Sequence, residues 1–293
     1  MQKKVSLVLS GGGARGLAHI GVIEELEKLG YDIHSVVGTS MGALVGGVYA
    51  MGKMEEFKNW MYTLDRRKVF NLVDFTLSTH GMVKGDKVLN RMKEFISDKP
   101  IEDLPIYFAA LAVNLIKKEE VVFTEGSIYD AIRASISIPN VLTPIRTEDG
   151  FLVDGGLMNN LPMSIAKRVE GDILVAVDVG ANVPLIKPVL TKKETVEKEH
   201  AYQKRLKEFY HQWHKIVPSK KEEMKEEKLG YFDLMSKTVD LMMEQQTKLN
   251  LMHHHPDILV EISRESAGTY DFYKAEELVE IGRMAFLQTI KID

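Results

Sequence analysis

The segment Gly38-Thr39-Ser40-Met41-Gly42 has the pattern G-x-S-x-G. It lies between an apolar run predicted as a strand and one predicted as a helix, and in that context such a serine can be a nucleophile. A sharp turn exposes the Ser40 hydroxyl, and Gly38 and Gly42 leave room where a Cβ would clash as the turn closes. The first N–H groups of the helix favour negative charge. We therefore favour a nucleophilic serine over a plain tight turn.

A second glycine-rich loop covers residues 11–16, with the sequence Gly-Gly-Gly-Ala-Arg-Gly. It follows an apolar run, opens a predicted helix and satisfies the dinucleotide-binding pattern G-x-G-x-x-G. Dinucleotide binding requires an acidic residue at the end of the second strand, but Asp32 precedes that strand and the turn at Ser40 occupies its end. An oxyanion hole needs the same backbone N–H groups. Because both loops follow parallel strands, we expect them side by side at the carboxyl edge of one sheet.

Asp154 is the candidate base for Ser40. It stands in the segment Val153-Asp154-Gly155-Gly156, after a short apolar run and beside glycines that allow close approach of the backbone. Asp-Gly is also a common turn dipeptide. From spacing alone, the turn interpretation of Asp154 is favoured.

The nine histidines include a triplet, His253-His254-His255, which ends a predicted helix. A protonated imidazole there complements the helix dipole, which is the ordinary role of such a position. Consecutive side chains of an extended segment point in alternating directions, so the triplet is a poor tridentate metal site. The sequence contains neither H-E-x-x-H nor a calcium-loop pattern. We predict no metal ion, no cofactor and activity that is independent of calcium.

The composition narrows the class of protein. The chain has 293 residues, a formal net charge of −4 and no cysteine, which excludes disulfide scaffolds, thiolate catalysis and cysteine-ligated metal centres. A sequence pI of about 6.2 argues against a nucleic-acid-binding protein. No apolar run reaches the roughly 18 residues that span a bilayer, and the apolar stretch at the N-terminus is too short for a signal peptide. We expect a soluble cytoplasmic protein.

The apolar runs predict a β-α-β-α beginning and therefore an α/β fold with a largely parallel sheet. Strands are predicted at Val5–Leu9, His34–Gly38, Ile106–Leu115, Glu120–Phe123, Phe151–Val153, Ile173–Val179 and Ile258–Ile262. Helices are predicted from Leu17 to a stop at Gly30, and at Ser40–Met51, Gly85–Ser97, Ile128–Ser135, Pro162–Glu170, Phe232–Leu251 and Ala275–Ile290.

Residues 185–229 differ in composition from the rest of the chain, because they are rich in Lys and Glu and are bracketed by prolines. We predict a helical excursion from the α/β core. A solvated, ion-paired face is the commoner arrangement, whereas a membrane-facing lid would use the apolar residues at helical spacing: Leu206, Phe209, Tyr210, Trp213 and Ile216. A second candidate apolar lining, equally compatible with the core, consists of Met54, Phe57, Trp60, Met61 and Tyr62.

Three motifs together resemble a known family. Residues 10–21 (Ser-Gly-Gly-Gly-Ala-Arg-Gly-Leu-Ala-His-Ile-Gly), 38–42 (Gly-Thr-Ser-Met-Gly) and 154–156 (Asp-Gly-Gly) are similar in order and spacing to those of the bacterial patatin-like phospholipases. The resemblance covers about residues 3–178, with a weaker match from Pro256 onward. It implies a three-layer α/β/α sandwich with a mainly parallel central sheet.

The resemblance also implies a site. Ser40 would be the nucleophile and Asp154 the base that takes its proton, without a histidine. The backbone of the glycine loop would form the oxyanion hole, with the residues Gly11, Gly12, Gly13, Ala14, Arg15 and Gly16. Arg15 matches the basic position of the family. Known members cleave acyl esters of phospholipids, lysophospholipids or simpler lipids, so the implied partner is a lipid substrate, with at most peripheral membrane contact.

The leading hypothesis is therefore one domain, residues 1–293, that hydrolyses lipid esters, with 185–229 as a helical insertion or lid. An α/β-hydrolase would need His253–His255 as its base and several strands before its nucleophile, and this sequence has too few. Transfer of the acyl group to an acceptor other than water stays open. A lipid-binding regulatory protein with little turnover and a nucleotide-binding module are the alternatives from other classes. Nothing in the sequence determines the oligomeric state.

Overall fold

The structure, a computed structural model, describes residues 3–72, 86–139, 141–188 and 230–292. The strands within these ranges are β1 Lys4–Leu9, β2 Asp32–Thr39, β3 Tyr107–Asn114, β4 Glu119–Phe123, β5 Ile145–Thr147, β6 Gly150–Asp154, β7 Ile173–Ala181 and β8 Ile258–Ser263. The helices there are α1 Ala18–Lys28, α2 Met41–Ala50, α3 Met54–Tyr62, α4 Arg66–Leu72, α5 Asp86–Lys93, α6 Ile128–Ser135, α7 Tyr231–His253 and α8 Ala275–Ile292.

The strands form one mixed sheet. Five of them, in the order β3-β2-β1-β7-β8, are parallel. The three remaining strands have antiparallel pairings: β4 and β6 pair with β3, and β5 pairs with β6. The central strands β1 and β7 are buried along nearly their whole length, as expected of parallel strands covered on both faces.

Both faces of the sheet are covered. Val5, Leu7 and Leu9 of β1 pack on one side into the large core that includes α1, α2 and α8. Val8 packs on the other side with Leu161 and Met163, and Leu251 of α7 lies against this second cluster. The α/β/α sandwich with a mainly parallel central sheet, predicted from the sequence, is confirmed.

The helices α1 and α8 touch through their backbones. A Cβ on Gly21 would overlap the carbonyl oxygen of Val279, and a Cβ on Gly282 would overlap that of Ala18. Glycine at both positions therefore allows an approach that no side chain would permit. The contact fixes α8 against the N-terminal part of the fold and, with it, the loop of residues 264–272 that precedes α8.

The helix predicted at Pro162–Glu170 is wrong. Only Met163–Ile165 form a single 3-10 turn, and Ala166 is extended. Met163 and Ala166 pack with Leu161 against the sheet, so tertiary packing overrides the helical pattern. The sequence also did not predict β5, α3 or α4 as elements.

The described residues up to Pro188 and from Met235 onward form one compact unit. A second unit, Val189–Leu234, lies almost wholly outside the described residues. Of the helical insertion predicted at 185–229, residues 185–188 are described and form no helix; the rest, with its apolar stripe, lies outside the described residues and stays a prediction. No helix in the described ranges is long and apolar enough to cross a membrane.

Candidate active site

Ser40 occupies a strained turn between β2 and α2. Its backbone angles are φ 55° and ψ −123°, a region that residues other than glycine rarely adopt. Its N–H donates a hydrogen bond of 2.8 Å to the hydroxyl of Ser135, which itself donates to the carbonyl of Leu111 at 2.6 Å. The surrounding fold therefore maintains a conformation that a free chain would avoid.

Two glycines allow this turn to close. A Cβ on Gly38 would collide with the backbone of Gly42 and Ala43, and a Cβ on Gly42 would collide with the carbonyl of Leu9. The residue between them, Thr39, is anchored by a 2.9 Å hydrogen bond from its hydroxyl to the carbonyl of Asn159. Both glycines of the G-x-S-x-G pattern are thus sterically required here.

The register of β3 places Asp154 next to the turn. Thr39, the last residue of β2, is in register with Leu111, and Asp154 is in register with the next residue, Ala112. Along this stretch β4 pairs with one side of β3. The strand β6 therefore pairs with the opposite side, which is the side that β2 occupies up to Thr39. The ends of β2 and β6 therefore meet, although they are more than a hundred residues apart in the chain.

The carboxyl group of Asp154 is fully buried. Burial raises its pKa to about 7, and this rise is opposed by the Ser40 hydroxyl and by the N–H of Gly156. The Gly156 N–H donates to Oδ1 at 2.8 Å. The Ser40 hydroxyl lies close enough to lower the pKa of the carboxyl group, and Oδ2 has no hydrogen-bond partner among the described residues. A carboxyl with a pKa near neutrality can accept and return a proton.

The glycine loop lies against Ser40. A Cβ on Gly11 would come within 3.0 Å of the Ser40 Cβ. The N–H of Gly11 donates to the carbonyl of Asn160 at 3.3 Å, and that of Ala14 donates to the carbonyl of Thr269 at 3.0 Å. The N–H groups of Gly12 and Gly13 make no hydrogen bond with the described residues. These two are therefore the free donors of the loop.

The side chain of Arg15 extends from the glycine loop towards the loop that precedes α8. Its Nη1 donates to the carbonyl of Ala267 at 3.3 Å. Burial lowers the pKa of Arg15, and the charges of Asp240 and Asp178 oppose that effect. Burial likewise raises the pKa of Asp178 to about 6. The guanidinium thus connects the glycine loop with the loop that precedes α8.

Neither His19 nor the triplet His253–His255 supplies a base to Ser40. Burial lowers the pKa of His19 to about 4, and its Nε2 lies 2.9 Å from the carbonyl oxygen of Ser10; the neutral ring therefore braces the start of the glycine loop. His253–His255 lead into the beginning of β8, whereas Ser40 follows the end of the parallel strand β2. The triplet and Ser40 accordingly lie at opposite ends of the parallel strands.

A cavity of about 130 Å³ adjoins Ser40 and Gly13. Its walls come from α2, α3, α4, α5, residues 136–138 and 141–142 and the loop before α8. They are almost wholly apolar and include Leu44, Phe57, Trp60, Met61, Ile136 and Tyr270. Two residues of the apolar lining predicted around α3, Met54 and Tyr62, do not line the cavity and pack only against the core. The cavity fits a hydrocarbon chain better than a polar group.

Several polar residues near the site were missed in the sequence. Ser135 holds the turn at Ser40, Thr269 holds the glycine loop, and Asn160 is tied to Thr247 of α7 by a 3.0 Å hydrogen bond. Only Asn160 offered a local signal, because the pair Asn159-Asn160 follows the Asp-Gly-Gly motif between apolar residues. No group of three His, Asp or Glu side chains within the described ranges could hold a metal ion.

Comparison with known proteins identifies the family. Residues 7–167 match the model of the patatin-like phospholipases. The chain belongs to this family. The resemblance noted in the sequence is thereby confirmed, and the chain is an enzyme of the lipid esterase and phospholipase class.

Two relatives and one solved structure are similar to this chain. An uncharacterized NTE family protein of Mycobacterium tuberculosis is 31% identical, over 98% of this chain and 91% of that protein. The lysophospholipase of Emericella nidulans is 34% identical, over 61% of this chain and 12% of that protein. The crystal structure of VipD from Legionella pneumophila aligns over 99% of this chain and 67% of that one, with 15% identity and a TM-score of 0.47.

Proposed function

We propose that this chain hydrolyses carboxylic esters of lipids with Ser40 as nucleophile and Asp154 as its base. One observation carries the proposal: a serine in a strained turn faces a fully buried carboxyl group whose pKa is raised to about 7. A purely structural aspartate would not need that environment, which disfavours its charged form. The raised pKa suits a group that must take up and release a proton within one turnover.

In the first half of the reaction, the carboxylate of Asp154 takes the proton of the Ser40 hydroxyl while Oγ attacks the ester carbonyl. The carbonyl oxygen becomes negatively charged and is stabilised by the free N–H groups of Gly12 and Gly13, together with the N-terminus of α2. Asp154 then gives its proton to the leaving alcohol. Water hydrolyses the acyl-enzyme in the second half and restores Ser40.

The apolar cavity beside Ser40 supports an acyl chain as the part of the substrate that is recognised. A relative named as a lysophospholipase points in the same direction. We propose a lipid with one acyl chain in this cavity and its alcohol part outside it. Access to such a lipid requires peripheral contact with a membrane or micelle, and a cytoplasmic location stays a prediction.

Labelling with a fluorophosphonate probe tests the dyad. The modified peptide is mapped by mass spectrometry in the wild type, Ser40→Ala and Asp154→Asn, with the exposed Asp149→Asn as a matched control. We expect an adduct on Ser40 that is absent in Ser40→Ala, falls at least about 100-fold in rate in Asp154→Asn and is unchanged in Asp149→Asn. A folded wild type that takes no label in the presence of lipid would favour a lipid-binding protein with little turnover.

A further inference from the structure

Asn160 is a buried residue, and among the described residues the nitrogen of its side-chain amide has a hydrogen-bond partner whereas the oxygen has none. Its side chain is 4% exposed, and its Nδ2 donates to the hydroxyl of Thr247 at 3.0 Å. That hydroxyl itself donates a hydrogen bond of 3.1 Å to the carbonyl oxygen of Met243. Thr247 can therefore only accept from Asn160, which fixes the orientation of the amide. Oδ1 must face away from α7.

The Oδ1 atom of Asn160 faces the catalytic pair. It lies 2.9 Å from the position that a Cβ on Gly156 would take, and Asp154 Oδ1 lies 3.1 Å from the same point. It also lies 2.7 Å from the corresponding position on Gly11, which is 3.0 Å from the Ser40 Cβ. The amide oxygen thus shares close neighbours with both the nucleophile and the base.

Two buried acceptors therefore lie in the same region, since Asp154 Oδ2 belongs to the carboxyl group whose Oδ1 shares these neighbours. Asn160 Oδ1 and Asp154 Oδ2 are both buried without a hydrogen-bond partner among the described residues. Buried polar atoms in native proteins nearly always have a hydrogen-bond partner. Two neighbouring acceptors without one therefore indicate a bound molecule that donates two hydrogen bonds. An ester has no such donor, whereas water has two.

We propose that Asn160 Oδ1 and Asp154 Oδ2 jointly bind the water molecule that hydrolyses the acyl-enzyme. Once Ser40 is acylated, its Oγ no longer carries a proton, so Ser40 does not compete with another donor for Asp154 Oδ2. A water placed between the two acceptors directs one O–H at each of them. Its oxygen lone pair is then free to attack the acyl carbonyl next to it. This inference rests on the proposed Ser40–Asp154 reaction.

The step balances in atoms and protons. The water oxygen bonds to the acyl carbon while Asp154 takes one of its protons, and the other O–H keeps its hydrogen bond to Asn160. The tetrahedral intermediate then collapses by breaking the bond to Ser40 Oγ, which recovers its proton from Asp154. The products are the free carboxylic acid and the regenerated serine.

The arrangement selects water over other acceptors. An alcohol has a single O–H, which Asp154 needs for the proton transfer, so an alcohol leaves Asn160 Oδ1 buried and unpaired. That loss disfavours alcohols. Asn160 therefore makes the enzyme a hydrolase rather than an acyltransferase.

The partition between water and methanol tests this directly. Turnover of p-nitrophenyl octanoate with added methanol gives free acid and methyl ester, whose ratio does not depend on how much enzyme is active. The variants are Asn160→Leu, of similar volume but without the acceptor, and Thr247→Val, which frees the amide to turn. Asn250→Leu, which breaks a 2.8 Å bond from α7 to Asn159, is the matched control.

In Asn160→Leu we expect a ratio of methyl ester to acid that rises roughly fivefold or more, and a deacylation rate that falls about tenfold. The fluorophosphonate labelling rate at Ser40 should stay within about twofold, because acylation does not use the water. Thr247→Val should shift the ratio in the same direction by less, and Asn250→Leu should leave it unchanged.

Normal labelling of Ser40 with an unchanged product ratio in Asn160→Leu would overturn the inference and leave the proposed function standing. Equal losses of labelling and deacylation would also overturn it, since Asn160 would then serve only the structure. A wild type that forms no acyl-enzyme on Ser40 would instead remove the reaction on which the inference rests.

Discussion

The backbone N–H of Ser40 donates a 2.8 Å hydrogen bond to the side-chain hydroxyl of Ser135. A hydroxyl from the last residue of α6 thus holds the nucleophile in its strained conformation. The same hydroxyl donates to the carbonyl of Leu111 on β3. The turn, α6 and β3 are therefore joined through one buried oxygen atom.

Replacing Ser135 by alanine should weaken the turn at Ser40. The variant leaves a buried N–H and a buried carbonyl unpaired, which costs about 1–3 kcal/mol. We expect a lower free energy of unfolding by that amount in urea denaturation, and a labelling rate at Ser40 that falls roughly tenfold. Ser137→Ala, two residues further on, should retain the labelling rate. Equal labelling of both variants would show that Ser135 does not position Ser40.

The activity should follow the ionisation of Asp154. Its pKa is raised to about 7, mainly by burial, and only the carboxylate can take the proton of Ser40. We expect kcat/KM to rise tenfold per pH unit below about pH 7 and to level off above it. Asp178, whose pKa is raised to about 6, is the competing explanation. The midpoint should stay near 7 in Asp178→Asn, and a midpoint that moves would assign the profile to Asp178.

The same ionisation should destabilise the wild type at high pH. The pKa of Asp154 rises from 3.8 to about 7 on folding, so its contribution to stability is fully present below about pH 4 and is lost as the pH rises through 7. Asp154→Asn cannot ionise and escapes this loss. We expect the variant to exceed the wild type in free energy of unfolding by roughly 2–4 kcal/mol at pH 8. Parallel stability profiles of the two proteins from pH 4 to pH 8 would contradict this.

Gly38→Ala should prevent formation of the turn. The added Cβ would overlap the backbone of Gly42 and Ala43, and neither neighbour can move without opening the turn. We expect loss of labelling and destabilisation by more than about 3 kcal/mol. The matched substitution is Gly52→Ala, at φ 69° in open space, which should cost only about 1 kcal/mol in thermal or urea denaturation. Comparable stability of the two variants would refute the steric argument.

The cavity should set the preference for acyl-chain length. Met61 is 4% exposed and lines the cavity on α3. Met61→Trp fills part of that space at a cost of about 1–3 kcal/mol in stability. We expect kcat/KM for long-chain p-nitrophenyl esters to fall at least about tenfold while that for the acetate changes little. A uniform effect on all chain lengths would place the acyl chain elsewhere.

The parts of this protein that could be predicted are those encoded locally. The described strands other than β5, the turn at Ser40 and the glycine loop each depend on neighbours in the chain, so patterns of apolar residues and glycines reveal them. Asp154 was favoured as a plain turn residue until the family resemblance was considered. The reason is that its burial and its place beyond Thr39 follow from the register of β3, which no local pattern contains.

The remaining residues were hidden because they act through distant contacts. Ser135 is one hydroxyl at the end of an ordinary amphipathic helix, and Thr247 is one polar residue on the face of α7 that also carries the buried Met243. The helix predicted at Pro162–Glu170 failed for the same reason, since packing of Met163 against the sheet decides its backbone. Long-range packing, rather than composition, makes these positions important.

The loop that precedes α8 supports the glycine loop at both Ala14 and Arg15, across a separation of 252 residues between Arg15 and Ala267. During synthesis, a ribosome-bound chain can therefore bring Ser40 and Asp154 together well before their electrophile-binding loop is supported. We expect the nascent chain to remain inactive until α8 has emerged and docked on α1 through Gly21 and Gly282. Late completion of the fold would thus delay the onset of lipid cleavage until α8 has docked.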